Sequence, residues 1–195
     1  MRAHDLPFDE QLIRLDVPET RGQIASLSPS GLVPCLKDGD HVIWDSLAIA
    51  EYLAEKHPGK HLWPEDPAAR TLARCISAEM HSGFSGLRTI WPMDIVTEGA
   101  GVSCPWRVRQ ELTRIFSLWS MAREHFGQKT DEPYLFGGFT IADAFYAPVV
   151  SRIRTYGPVS MPQVCADYME AIWAHPAIKA WCEGAREEAE AGWYA

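Results

Sequence analysis

The chain has 195 residues, of which 47% are hydrophobic and 23% are charged, a composition typical of an ordinary folded protein with one or two domains. Its formal net charge is −8 and it has no basic cluster, which argues against nucleic acid as a partner. No apolar run approaches the roughly 20 residues of a membrane span, so we expect no membrane partner either.

The first 31 residues predict one strand and one short helix. Residues 8–15 (FDEQLIRL) predict a β-strand. Residues 17–27 carry Pro18 near their start and apolar Ile24 and Leu27 later, which is typical of a short helix that begins with a proline. The turn residues at 28–31 (SPSG) then end this strand–helix unit.

Residues 33–44 predict a β-hairpin with a proline at its entrance. Two short apolar segments flank the dipeptide Asp38-Gly39, which favours a tight hairpin turn. A proline inside a strand loses a ladder hydrogen bond, so Pro34 belongs at the head of the strand, where we predict a cis bond after Val33. The main-chain amide and carbonyl groups of Val33 would then face outward, free to pair with an extended ligand as an added strand does.

The next helix begins with two residues that suit an anion. Asp45 and Ser46 precede an amphipathic helix over residues 47–56, and both residue types are suited to the N-cap. A hydroxyl group beside the free amide groups of a helix N-terminus binds anions readily. An outward-facing main chain next to such a site predicts a binding site for a small peptide that carries a carboxylate.

The rest of the chain is dominated by helical patterns. Residues 68–91 and 106–126 carry apolar residues every three or four positions, which predicts two long helices that pack as antiparallel neighbours. Thr140 and Asp143 form a capping-box pattern before a helix that is apolar nearly all round and therefore buried. Two further helices, near residues 162–174 and 176–189, complete a bundle.

The order of these motifs resembles the cytosolic glutathione S-transferases of bacterial type. In that family a cis-proline after Val pairs with the cysteinyl part of glutathione, and an acidic residue followed by Ser holds the γ-glutamyl carboxylate. The matching residues here are Val33, Pro34, Asp45 and Ser46. Each motif alone also fits a strand-start proline or an ordinary helix cap, but their order around a hairpin favours the family. The resemblance implies glutathione as co-substrate.

The resemblance also implies the fold. We expect an α/β thioredoxin-like domain over residues 1–59, a proline-rich linker over residues 60–67 and an all-α helical bundle domain over residues 68–195. The first domain is expected to be incomplete, because the family's first strand and helix, with the Ser, Tyr or Cys that activates the thiol, have no counterpart. No catalytic residue is assigned, about 20 residues are expected upstream of Met1, and the 195-residue chain is expected to be poorly stable and inactive in conjugation.

A site for a small hydrophobic electrophile is expected between the two domains. Gly83 interrupts a helical pattern, which suggests the close approach of a ligand or another helix. A solvated turn of helix explains the same residues equally well. The residues expected to line the site are His81, Phe84, Arg88, Trp91, Arg152 and Tyr156.

Histidine and cysteine spacings predict neither a metal site nor disulfides. His57 and His61 are four residues apart, but Pro58 and Gly59 break any helix between them, so no metal is assigned. Five widely spaced cysteines form no CxxC motif, and the polar first residues do not read as a signal peptide. Together they predict reduced thiols and a cytoplasmic location.

Three functions remain open. The first is a glutathione S-transferase that conjugates the glutathione thiol to small electrophiles. The second is a glutathione-dependent isomerase of a maleyl-type substrate, and the third is a non-catalytic glutathione S-transferase-like binding module. The resemblance further implies a homodimer, although we identify no self-complementary surface in the sequence.

Overall fold

An α/β N-terminal part precedes an all-helical part, as predicted, in the computed structural model, which describes residues 1–193. Within that range the one sheet pairs β1 (Cys35–Asp38) with β2 (His41–Trp44). None of the helices in residues 1–193 combines the length and apolar character that crossing a bilayer requires. The helices are α1 (Thr20–Leu27), α2 (Ser46–Lys56), α3 (Pro67–Ser82), α4 (Ser85–Ile90), α5 (Trp106–His125), α6 (Ile141–Tyr156), α7 (Gln163–Ala174) and α8 (Pro176–Glu190).

The predicted hairpin forms, with a two-residue loop. Asp38 pairs with His41 across the antiparallel strands, and Gly39 takes a φ of 57° at the first loop position, where glycine is favoured. Helix α2 lies against the hairpin because the Tyr52 hydroxyl donates to Asp38 Oδ2 at 2.7 Å and the Lys56 ammonium pairs with the same carboxylate. At the other end of the hairpin Cys35 pairs with Trp44, two residues before Ser46, so the start of α2 lies beside the entrance to β1.

The predicted strand over residues 8–15 is wrong. This segment is irregular, and no strand within residues 1–193 pairs with it. An extended segment without a partner lacks the ladder hydrogen bonds that define a strand. Its apolar side chains therefore pack on no sheet face, and Phe8, Leu12 and Leu15 are 38%, 56% and 54% exposed.

The helix predicted over residues 68–91 is divided into α3 and α4. Phe84 lies between them with a left-handed φ of 54°, which interrupts the helical path. The Gly83 amide donates to the Glu79 carbonyl at 2.9 Å, and a Cβ at Gly83 would lie 2.6 Å from that oxygen. Gly83 is therefore the C-cap residue of α3, and the group that approaches it closely is the main-chain carbonyl of Glu79.

Helix α6 is the buried centre of the helical part, as its nearly uniform apolar character predicts. It packs against α3 and α7. The Tyr146 hydroxyl donates to the Ile76 carbonyl at 3.1 Å, and the Trp119 ring meets Tyr146 and Tyr168 edge to face. Edge-to-face aromatic pairs add stabilisation beyond the area that they bury.

The capping box at the start of α6 is present as predicted. Asp143 is fully buried and its carboxylate accepts hydrogen bonds from the Leu135 amide at 3.1 Å, the Thr140 amide at 2.8 Å and the Thr140 hydroxyl at 2.9 Å. Burial raises the pKa of Asp143 to about 6, against the opposing effect of these donors. Asp143 thus ties the preceding loop to the central helix.

The junction between the two parts belongs to the core. Leu62 and Trp63, in the predicted linker, are 5% and 6% exposed. The Ile141 amide donates to the Leu62 carbonyl at 2.9 Å, and the Trp63 indole donates to Glu51 at 3.2 Å. These bonds connect the junction to α6 and to α2. The domain bounds 1–59, 60–67 and 68–195 stay a prediction.

Candidate functional site

The entrance to β1 leaves main-chain groups open. The Val33–Pro34 bond is cis, as predicted, and Val33 is 51% exposed. Pairing between the strands begins only at Cys35, and the amide and carbonyl groups of Val33 make no hydrogen bond within residues 1–193. Free groups of this kind accept an extended peptide as an added strand.

Asp45 caps helix α2 beside this open segment. Its Oδ1 accepts from the Leu47 amide at 2.8 Å and from the Ala48 amide at 3.4 Å, as an N-cap residue does. Asp45 has a φ of 71° and a ψ of 128°, outside the left-handed helical region, which is a strained conformation for a residue with a side chain. The cap presents the Ser46 hydroxyl, at the first helical position, towards the cavity described below.

His81 joins this corner from the helical part. It lies in the last turn of α3, and its Nε2 is 3.0 Å from Asp45 Oδ2 while its Nδ1 is 3.4 Å from Ser46 Oγ. Burial alone would raise the pKa of Asp45, but the two capping amides and the His81 imidazole together hold it below its ordinary value. The carboxylate therefore stays charged at neutral pH.

A cavity of about 460 Å³ lies between α2, α3 and α6. Apolar side chains form much of its wall, including Ile49 and Leu53 of α2 and Phe145 of α6. Of the residues predicted from sequence, it is lined by Ser46, His81, Arg88 and Arg152. The structure thus brings one predicted glutathione residue and three predicted electrophile residues to one space.

Three of the six residues predicted for the electrophile do not line this cavity. Phe84 and Trp91 are 8% and 1% exposed and belong to the core. The Tyr156 ring stacks on Trp91 with 5.4 Å between ring centroids. The Trp91 carbonyl accepts a hydrogen bond from Arg152 Nε at 2.9 Å, so this aromatic pair supports an arginine that does line the cavity.

Two segments of the chain match domains of a known protein family. Residues 1–56 match the glutathione S-transferase N-terminal domain, and residues 105–184 match the glutathione S-transferase C-terminal domain. Maleylacetoacetate isomerase of Rattus norvegicus is 30% identical over 155 residues, which cover 76% of this chain and 68% of the rat protein. The chain belongs to the glutathione S-transferase family.

Solved structures share the fold of this glutathione S-transferase. A Burkholderia glutathione transferase homologue with bound glutathione has a TM-score of 0.67 and 24% identity, over 95% of this chain and 87% of that one. The theta class glutathione S-transferase of Xanthomonas axonopodis pv. citri, with glutathione bound, has a TM-score of 0.54 and 27% identity, over 85% of this chain and 77% of that one.

Several residues of the glutathione S-transferase cavity carried no sequence signal. Ile49 and Leu53 occupy apolar positions of an amphipathic helix, and Phe139 and Phe145 flank the capping box. Such positions look the same whether they face a core or a cavity. Within residues 1–193 no group of three His, Cys, Asp or Glu side chains is arranged to hold a metal ion, and the expectation of a metal-free site stays a prediction.

Proposed function

We propose that this chain binds glutathione at the corner formed by Val33, Asp45 and Ser46 and transfers the glutathione thiol to a small electrophile. One observation carries the proposal: the unpaired main chain of Val33 lies beside a capped helix start whose Ser46 hydroxyl faces a cavity. In the reaction, the thiolate sulfur attacks the electrophilic carbon, a carbon–sulfur bond forms, and the leaving group departs with its electron pair.

Each group of the corner suits one part of glutathione. The Val33 amide and carbonyl groups pair with the cysteinyl main chain as a neighbouring strand would. The Ser46 hydroxyl and the Ser46 amide bind the γ-glutamyl carboxylate, because the Asp45 cap already occupies the Leu47 and Ala48 amides. The Asp45 carboxylate, held in its charged form, attracts the ammonium group at the same end of the peptide.

The cavity beside this corner suits the second substrate. Its wall of Ile49, Leu53 and Phe145 offers apolar surface to a small hydrophobic electrophile, with His81, Arg88 and Arg152 as polar groups. Pockets with an apolar wall and a few converging polar groups are the usual form of small-molecule sites. No residue among 1–193 is assigned as the group that activates the thiol.

A second candidate is the isomerisation of a maleyl-type substrate. The 30% identity to a maleylacetoacetate isomerase favours it. Reversible addition of the thiolate to a cis double bond allows rotation about that bond and returns the thiol at the end. An isomerase therefore leaves the glutathione concentration unchanged, whereas a transferase consumes one thiol per product.

A conjugation assay tests the proposed transferase activity. We expect glutathione and 1-chloro-2,4-dinitrobenzene to react faster with the 195-residue chain than without it, with chloride released and thiol consumed. That result would overturn the inactivity expected from the sequence. The assay compares the initial rate in the presence of the chain with the uncatalysed rate at the same concentrations. If the chain binds glutathione but does not exceed the uncatalysed rate, the non-catalytic binding module replaces the transferase as the better account.

We further propose a homodimer, on the strength of family membership. Sedimentation at micromolar concentration is expected to give the mass of two chains. A single-chain mass at that concentration would contradict it.

We also propose a cytoplasmic location, because the cysteine side chains form no disulfides in the part of the chain that the structure describes. All five cysteines are free in the structure, a state that a reducing compartment maintains. Recovery of the native protein outside the cytoplasm on cell fractionation would count against this location.

A further inference from the structure

Two arginines of the cavity have no carboxylate partner. Arg88 lies on α4 and Arg152 on α6, and both side chains line the cavity. Neither forms an ion pair within residues 1–193. Among residues 1–193, no Asp or Glu lines this cavity, although the chain as a whole has a net charge of −8. The cavity is therefore locally positive in an acidic protein.

Neutral carbonyl groups hold both guanidinium groups in place. Arg88 Nη2 donates to the Met80 carbonyl and, at 3.2 Å, to the His81 carbonyl, which belong to the last turn of α3 and lack intrahelical donors. Arg152 donates from Nε to the Trp91 carbonyl at 2.9 Å and from Nη1 to the Pro148 carbonyl at 3.1 Å. Carbonyl oxygens orient a guanidinium group without cancelling its charge.

The two positive charges act on one another. Burial lowers the pKa of Arg152, and the neighbouring charge of Arg88 lowers it further. Like charges in a partly desolvated space are unfavourable, and an anion between them relieves both costs. Hydrogen-bond donors remain available for such an anion, because Nη1 of Arg88 and Nη2 of Arg152 make no hydrogen bond within residues 1–193.

We propose that the electrophile carries a carboxylate, which Arg88 and Arg152 bind while its apolar body lies against Ile49 and Phe145. The planar carboxylate matches the fork of donors that a guanidinium group presents. This inference rests on the proposed transferase function and narrows its second substrate from a hydrophobic electrophile to an organic anion.

His81 connects the arginines to the glutathione corner. Its carbonyl accepts from Arg88, while its imidazole contacts Asp45 and Ser46. A substrate anchored at the arginines is therefore held against the same turn of α3 that borders the peptide site. Anchoring one end in this way orients the electrophilic carbon for attack, which is a recognised source of rate enhancement.

A matched pair of ligands tests the proposal. 4-Chloro-3-nitrobenzoate and 4-chloro-3-nitrobenzamide have nearly the same shape and differ in charge. Isothermal titration of the wild-type chain at low salt should give a dissociation constant about tenfold lower for the benzoate, as expected when an anion gains charged donors. Arg88→Met and Arg152→Met should each remove the preference for the benzoate. Arg152→Lys keeps the positive charge and should retain part of that preference.

The control is Arg186→Met, which removes an exposed arginine of α8 that pairs with Glu183 and should leave the preference unchanged. Circular dichroism identifies any variant that does not fold, and the wild-type comparison needs no variant. The proposal is overturned if the amide binds as tightly as the benzoate, if neither binds, or if both Met variants keep the preference. A chain that binds the benzoate but not glutathione contradicts the proposed function alone.

Discussion

An Asp143→Ala chain is expected to lose about 3 kcal/mol of its free energy of unfolding. The carboxylate accepts three hydrogen bonds in a fully buried position. Alanine would leave the Leu135 amide and both Thr140 donors without an acceptor, and each unsatisfied buried donor costs roughly 1–3 kcal/mol. The loss is large because the whole free energy of unfolding of a domain is typically only about 5–15 kcal/mol.

Urea denaturation followed by circular dichroism measures this loss. Asp167→Ala is the matched control, because Asp167 is an exposed carboxylate of α7 that accepts a hydrogen bond from the exposed Gln163 side chain at 2.8 Å. We expect its free energy of unfolding to change by less than about 0.5 kcal/mol. Equal midpoints for the two variants would show that the capping box at α6 contributes little to stability.

Ser46→Ala is expected to weaken glutathione binding by about 1–3 kcal/mol, because a charged carboxylate loses a hydrogen-bond donor. Asp45→Asn should also weaken binding, since it removes the negative charge that attracts the ammonium group. Asparagine is itself a favoured N-cap and tolerates a positive φ, so α2 should keep its start. This variant therefore separates binding from folding.

Isothermal titration with glutathione provides the measurement for both variants. The control is Ser26→Ala, which removes an exposed hydroxyl of α1 that bonds to the Gln23 carbonyl. Its dissociation constant should equal that of the wild-type chain. An unchanged constant in Ser46→Ala would refute the assignment of Ser46 to the γ-glutamyl end.

Local chemistry made part of the fold predictable. The hairpin follows from Asp38-Gly39, and the starts of α2 and α6 follow from residues whose side chains accept from nearby amide groups. The strand over residues 8–15 failed because a strand depends on a partner that the segment itself does not encode. The break at Phe84 was not predicted, because an apolar pattern with a period of 3.6 residues carries no information about a left-handed φ.

The candidate site was predictable in its parts but not in its assembly. The helical pattern of residues 68–91 predicts His81 among the electrophile residues, and the structure also brings it to Asp45 and Ser46, more than thirty positions earlier in the chain. The same pattern groups Phe84 and Trp91 with Arg88, because the three residues are close along one predicted helix. After the break at Phe84, the two aromatic residues face the core and only the arginine reaches the cavity.

The most direct test of the central claim is an NMR titration of the ¹⁵N-labelled chain with glutathione. If the peptide binds beside β1 and α2, the largest amide shifts should fall on Val33, Ser46 and Leu47, with smaller changes at His81. Ser46→Ala should reduce these shifts at the same glutathione concentration. Shifts confined to other parts of the chain, or no shifts at millimolar glutathione, would contradict the proposed site.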